Sequence, residues 1–320
     1  MGNLHNRKIF FRADAGAKIG YGHFIRTLAL ADMLKDDFDC TFFTTAPTEY
    51  QANELNKVCK YIPLEEESKF DKFLEYLSGD EIVVLDNYFY STDYQKQIKD
   101  RGGKLVCIDD IHDKHYVADI VINHALTDTS LFSIEPYTKL CLGFEYALLR
   151  APFLKPVIEK CRNNDLIISF GAADPFGITD KLVSMLLTMN IQYHIVVILG
   201  DKVYFSEANR QQVSTRKNLS AEQMAELFEQ SAAGILSAST VCIEALSRNL
   251  PLAVGYHVDN QIEIYGCLAK SMTVQPLGNL QKIDTGVLLR AIKNIASTSN
   301  LTFPIGIKER YKGVFLSLVK

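Results

Sequence analysis

The chain lacks an excess of positive charge: 34 Lys and Arg are outnumbered by 38 Asp and Glu, for a formal net charge of -4. No basic field gathers a polyanion, so a nucleic-acid partner is not expected. The seven cysteines form no CxxC pair and no even-numbered disulfide framework. They sit in apolar runs such as "KLVCID" and "KLCLG", as reduced, buried thiols of a cytoplasmic protein do. Nowhere is there an uncharged apolar run near the roughly 20 residues that a membrane span requires. The first residues, "MGNLHNRKIFF", hold no basic region followed by a long apolar stretch, and Asn6 stands where a myristoylation signal has Ser or Thr. A soluble, cytosolic protein without a membrane span is the expectation.

What is present is the material of a large core. Hydrophobic residues make up 48% and charged ones 22% of 320 residues, about twice the length of a typical domain. Two domains sharing a cleft are expected. Short apolar runs alternate with helical stretches, the pattern of parallel strands joined by crossover helices. "KIFFRAD" (8 to 14), "CTFFTT" (40 to 45), "EIVVLD" (81 to 86), "KLVCIDD" (104 to 110) and "DIVIN" (119 to 123) read as strands covered on both faces. Helices are predicted at 22 to 35, 49 to 60 and 91 to 102, the last stopped by "RGGK". The alternation weakens at 147 to 165, where two prolines and a polar cluster mark a linker. A second series follows, with strands at 165 to 171, 193 to 200, 233 to 238 and 251 to 256. Its helices are predicted at 177 to 190, 221 to 230, 240 to 248, 259 to 270, 281 to 297 and 304 to 318. The α/β pattern thus predicts two Rossmann-like domains in tandem, 1–150 and 151–320.

Ligands of open parallel sheets bind beyond the carboxyl ends of the strands, so those loops hold the candidate chemistry. After the first strand comes "AGAKIGYGHFIRTLALADML". Gly20 and Gly22 allow tight backbone and close approach of a ligand, and the helix that follows offers N–H groups to an anion. The spacing is not G-x-G-x-x-G, since residue 25 is Ile, which disfavours NAD. His23 falls in the first turn and Arg26 one turn later on the same face. The helix dipole disfavours a charged imidazolium there, leaving a neutral imidazole available as a base. Position alone is equally consistent with a histidine that caps or packs, and Arg26 alone reads as a surface or salt-bridging residue. Arg12 and Asp14, just before the loop, are placed to orient His23 or to bind sugar substituents. "LDNY" puts Asp86 and Tyr88 at a strand end. "DDIHDKH" (109 to 115) fits no standard metal spacing and reads as a solvated acidic loop, so no metal is expected.

In the second half, "SFGAADPFG" (169 to 177) is a small-residue turn containing Gly171, open to a diphosphate or to an ordinary strand-to-helix role. "ILSASTVCIEALSRNLPLAVGYHVDNQ" (235 to 261) is the most informative stretch. Ser239 and Thr240 open a helix with hydroxyls suited to capping or to phosphate, and Glu244 lies one turn on, where a carboxylate can accept from both hydroxyls of a ribose. Capping plus a solvated Glu is the alternative. Asn249 ends the helix in a position that favours the left-handed conformation, and Asp259, Asn260 and Gln261 follow the next strand.

With these pieces placed, "RADAGAKIGYGHFIRTLALADML" resembles the signature loop and helix of the PseG-type nucleotide-sugar hydrolases of pseudaminic acid biosynthesis. "SFGAADP" and "SASTVCIEALSRNLPLAVGYHVDNQ" are similar to that family's UDP-binding half and, more distantly, to MurG-like glycosyltransferases. The resemblance covers nearly the whole chain. It implies a GT-B fold, with UDP held by the C-terminal domain and the sugar facing the N-terminal glycine-rich loop across a central cleft. It implies release of UDP from UDP-2,4-diacetamido-2,4,6-trideoxy-β-L-altropyranose by water, through inverting C–O cleavage at the anomeric carbon and without metal or other cofactor. His23 matches the catalytic histidine, Tyr88 and Asn260 match further active-site residues, and Glu244 matches the ribose-binding carboxylate; Gly171, Ser239, Thr240 and Gln261 accompany it around UDP. Ala172 and Ala173 depart from the pattern where a second glycine is common, and Asn249 replaces a glycine. A glycosyltransferase using the same donor and a non-catalytic nucleotide-sugar binding protein are the rival readings.

Overall fold

A computed structural model describes residues 7–16, 21–157, 161–171, 174–200, 203–271, 273–298 and 302–319. The chain forms two units, Met1–Leu154 with Pro304–Lys320, and Lys155–Phe303.

The first unit holds strands β1 (Lys8–Ala13), β2 (Asp39–Thr45), β3 (Lys60–Leu64), β4 (Ile82–Asp86), β5 (Lys104–Ile108), β6 (His115–Tyr116), β7 (Ile120–Asn123), β8 (Ser133–Ile134) and β9 (Lys139–Leu142). Its helices are α1 (Gly22–Leu34), α2 (Glu49–Val58), α3 (Lys69–Glu75) and α4 (Thr92–Asp100). Seven strands make one parallel sheet in the order β3-β2-β1-β4-β5-β7-β9, and β6 pairs with β8 separately. The apolar runs explain the inner strands: Phe11, Val83, Val84, Leu105, Val106, Val121 and Ile122 are wholly buried. The chain runs β1, β2, β3 outward on one side and then returns to build from β4 on the other. A topological switch point therefore falls between the carboxyl ends of β1 and β4.

Five elements of this unit, β3, β6, β8, β9 and α3, escaped the apolar pattern. Strand β3 carries Pro63, which the sheet tolerates because β3 is an edge strand. Strand β9 closes the opposite edge, and α3 is a seven-residue helix whose charged residues mask its buried Phe73 and Leu74.

The second unit repeats the plan with β10 (Asp165–Ser169), β11 (His194–Ile198), β12 (Ser214–Arg216), β13 (Ala233–Ser237), β14 (Leu252–Tyr256) and β15 (Val274–Asn279). The parallel order is β12-β11-β10-β13-β14-β15, with its switch point between β10 and β13. Helices α5 (Ile178–Leu187), α6 (Glu207–Arg210), α7 (Ala221–Gln230), α8 (Thr240–Ser247), α9 (Ile262–Lys270) and α10 (Thr285–Asn294) connect and flank the strands. Asn249 has φ 56, the left-handed conformation its place after α8 demands, so its substitution for glycine leaves the helix end intact. Strands β12 and β15 and the short helix α6 were not predicted, β15 because Pro276 and Gly278 interrupt its apolar pattern.

The second domain does not run to 320 as expected. Helix α11 (Ile307–Ser317) belongs to the first unit, where it packs on α1. Its stripe of Ile307, Tyr311, Val314 and Phe315 is buried; Phe315 meets Phe38 edge-on at 6.3 Å, and the Tyr311 hydroxyl donates to the Tyr146 carbonyl at 2.6 Å. Burying Tyr311 and Phe315 stabilises this return by about 1.5–3 kcal/mol each.

Within the second unit, Arg162 from the segment before β10 acts as a clamp. Its guanidinium donates to the carbonyls of Phe228 and Ser231 at 2.8 Å each and of Arg248 and Asn249 at 3.0 Å each, satisfying the carboxyl ends of α7 and α8 together. Arg162→Ala is expected to cost about 1.5–3 kcal/mol of stability, and Arg162→Lys to recover little of it because an ammonium cannot fork to four carbonyls. Urea denaturation checks this; an unmoved midpoint for the alanine variant would contradict the clamp.

Candidate active site

The switch point of the first sheet gathers charge in a buried place. Asp86 ends β4 with no exposure at all, and His23 and Arg26 reach it from the first turns of α1. The His23 Nδ1 lies 2.7 Å from Asp86 Oδ1, and the Thr27 hydroxyl donates to Oδ2 at 2.8 Å. Arg26 donates from Nε to Oδ2 at 2.7 Å and from Nη2 to Oδ1 at 2.6 Å, a forked pair. Its Nη1 donates to Asp110 Oδ2 at 2.8 Å. The Tyr88 hydroxyl donates to that same oxygen at 3.2 Å, and the Tyr88 ring stands edge-on to His23 at 4.6 Å.

The carboxylate fixes the histidine tautomer. Nδ1 carries the proton and donates to Asp86, which leaves Nε2 as the lone-pair nitrogen. Arg26 Nη2 is 3.0 Å from Nδ1, but with Nδ1 protonated both are donors, so that contact is not a hydrogen bond, and Nη2 donates to Asp86 instead. The nearest charge to the ring is thus a carboxylate rather than the helix dipole on which the sequence reading relied.

The carboxyls of this cluster stay ionised. Burial alone would raise Asp86, but the charge of Arg26 and the hydrogen bonds from Arg26 and His23 outweigh it and hold the group far below the usual range. Asp110 behaves likewise, with burial opposed by Arg26 and His23. Next to them His124, directly after β7, is 2% exposed, and burial together with Arg26 pushes its pKa down to about 4, so its ring is neutral.

Arg12 and Asp14 do not orient His23. They pair with each other, buried, through two guanidinium–carboxylate bonds. Asp14 Oδ1 also accepts from the Thr45 N–H at 2.8 Å, and the Asp14 N–H donates to Asn87 Oδ1 at 2.8 Å. The pair therefore pins the ends of β1, β2 and β4, because a strand-end carboxylate that finds an arginine and a backbone N–H has no reason to reach the helix. Gly22 opens α1, and a Cβ there would meet nothing within 4 Å. Gly20 lies outside the described residues.

The acidic segment is solvated only beyond its first two residues, with Asp113 exposed. Asp109 and Asp110 are only 5% and 6% exposed, and Asp110 serves the cluster. Among the described residues no group of three or more His, Cys, Asp or Glu is arranged to hold a metal ion. The roles of Asp86, Arg26 and Asp110 and the presence of His124 went unread in the sequence, though all but Arg26 end or closely follow a strand.

In the second unit, Gly171 follows β10 at φ 96, with open space where a Cβ would stand; Ala172 and Ala173 lie outside the described residues. The two helices that leave this switch point differ at their amino ends. Asp174 accepts from the N–H groups of Ile178 and Thr179 at 2.9 and 2.6 Å, so α5 is already capped by a carboxylate. Ser239, ahead of α8, makes no side-chain cap bond and instead meets the Ser237 hydroxyl at 3.3 Å. The amino end of α8, with half-buried Ser239 and Thr240, is the better placed for an anion. Glu244, one turn on, is 2% exposed and not solvated as the capping alternative required. Asn260 lies in the short turn Asp259–Gln261 after β14, and Gln261 Oε1 accepts from the His257 N–H at 3.0 Å.

No family model matches the chain. It is 26% identical over 86% of its length to the uncharacterized protein MJ1062 of Methanocaldococcus jannaschii, and spans 61% of that relative. It is 28% identical over 82% of its length to the UDP-2,4-diacetamido-2,4,6-trideoxy-beta-L-altropyranose hydrolase of Campylobacter jejuni, covering 96% of it. The structure is similar to that of MurG from Acinetobacter baumannii, with a TM-score of 0.65 at 13% identity over 97% of this chain and 99% of the other. The fold is that of the GT-B glycosyltransferases, built of two Rossmann-like units with parallel sheets.

Carboxyls depressed in the folded state contribute stability above their unfolded values, near 3.9, and lose it as pH falls through the lower folded values. Asp14, Asp86 and Asp110 all shift in that direction. Urea midpoints should therefore fall as pH is taken below about 4. Asp86→Asn should flatten that dependence and cost about 3–5 kcal/mol at pH 7, because it leaves Arg26 underpaired. An unchanged acid slope in the variant would contradict the pairing.

Proposed function

We propose that the protein hydrolyses a UDP-sugar, releasing UDP and the free sugar by inverting C–O cleavage at the anomeric carbon. The observation that carries the reading is His23, held by Asp86 with Nδ1 protonated and Nε2 left as a base at a topological switch point. Water gives a proton to Nε2 as its oxygen bonds to C1, and the electrons of the breaking C1–O bond pass to the β-phosphate oxygen. UDP leaves as a stabilised anion, so no acid catalyst is required. Nucleotide binding is assigned to the second unit, with Gly171, Ser239 and Thr240 about the diphosphate and Glu244 on the ribose, Gln261 nearby. Tyr88 and Asn260 are assigned to the sugar, with Gly20 and Gly22 allowing close approach; Arg12 and Asp14 support the strand ends instead. The similarity to the Campylobacter jejuni hydrolase supports the diacetamido sugar as substrate and a place in nucleotide-sugar metabolism.

The likeness to MurG favours one rival, transfer of the sugar to an acceptor hydroxyl by the same base. Incubation with the UDP-sugar and no acceptor separates the two: stoichiometric free sugar and UDP are expected, and an intact donor would overturn hydrolysis. His23→Ala and His23→Phe should lower UDP release by at least about 100-fold while leaving UDP affinity, read by calorimetry, within a few fold. Turnover that survives either change means that His23 is not the base.

A further inference from the structure

The cluster around His23 contains one more carboxylate than orientation of the ring requires. Among the described residues, the charged and titratable groups around the ring and its partners are Arg26 from α1, Asp86 from β4, Tyr88 just beyond it, Asp110 after β5 and His124 after β7, the last near Arg26, Asp110 and Asp86. Asp86 alone fixes the tautomer, and its charge is spread over bonds from His23, Thr27 and both faces of the Arg26 fork. Asp110 is different. Its Oδ2 takes Arg26 and the Tyr88 hydroxyl, while its Oδ1 is buried with no hydrogen-bond partner among the described residues. Both ring nitrogens of His124 are likewise buried without partners among the described residues, so that neighbour neither donates to Asp110 nor balances its charge.

Counting charge gives the consequence. Arg26 is one cation and Asp86 and Asp110 are two anions, with Tyr88 and His124 neutral. Among the described residues the buried cluster carries a net charge of minus one while His23 is neutral, and reaches zero only when the ring is protonated. A charge kept in low dielectric and compensated only as the reaction proceeds favours the transition state over the ground state. We propose that Asp110 is a positioning residue that supplies this uncompensated negative charge, stabilising His23 as it takes the proton of the attacking water. This inference rests on the hydrolase reading for its kinetic consequence and on geometry alone for its electrostatic one.

Asp110→Asn in the full chain removes the charge and keeps the shape, and two readouts follow. Release of UDP from the UDP-sugar should show kcat lower by about 10- to 100-fold with KM within about threefold. The titration midpoint of the His23 ring, followed by NMR on 15N-histidine protein, should fall by about one pH unit. Asp110→Glu, which keeps the charge, should hold the midpoint near that of the parent. Should Asp110→Asn fail to fold, the smaller Asp110→Ser is read by the same two assays. An unmoved midpoint overturns the proposal whatever happens to kcat, because a merely structural Asp110 could slow turnover without touching the ring's titration. If the parent protein releases no UDP, the hydrolase reading fails, and the midpoint alone decides the charge role.

Discussion

The carboxylate of Asp86 constrains most of what surrounds it. A charge wholly out of water is tolerated only when it is paired and hydrogen-bonded, and Asp86 meets that condition with His23, Arg26 and Thr27, all drawn from the first two turns of α1. One strand end thereby fixes the rotation of the helix that follows the glycine-rich loop. The same bonds decide which nitrogen of His23 holds a proton. Arg26 then extends the arrangement to Asp110, and Asp110 to Tyr88, so three strand-end or loop positions are tied to one helix face.

Both units obey the same topological rule and use it for different chemistry. In each, the strand order reverses beside the first strand, which puts the chemistry-bearing loops at the carboxyl ends of neighbouring strands. In the first unit that place is filled by paired charges around an imidazole. In the second it is lined by Gly171, by the amino end of α8 and by hydroxyls, with the competing helix α5 already occupied by Asp174. A helix whose first N–H groups are taken by its own carboxylate offers little to a diphosphate, whereas one without a side-chain cap offers its dipole and its donors.

The central strands were legible in the sequence because burial on both faces writes a continuous apolar run, as in "EIVVLD" and "AGILSA". The edges were not: Pro63 in β3 and Pro276 in β15 break the pattern where an edge tolerates the break. The C-terminal helix was visible as a helix, but nothing in its stripe names the surface that covers it, and the structure returns it to the first unit. At the site, His23 and Tyr88 were found by their place after strands together with a resemblance. Asp86 was noted at its strand end and Arg26 as a surface or salt-bridging residue, but their joint role and that of Asp110 were not legible, because a charged residue looks like surface until its partner is known, and the partners lie 60 and 84 positions away in sequence. The same blindness made Asp14 look available to His23 when its own arginine stood two residues off.

The account turns on water attacking the sugar carbon rather than the phosphorus. Turnover of the UDP-sugar in 18O-labelled water, followed by mass spectrometry of both products, tests it most directly. Label in the C1 hydroxyl of the released sugar and none in UDP is the predicted result. Label in the UDP phosphate would mean that the P–O bond breaks, and would contradict the role given to His23.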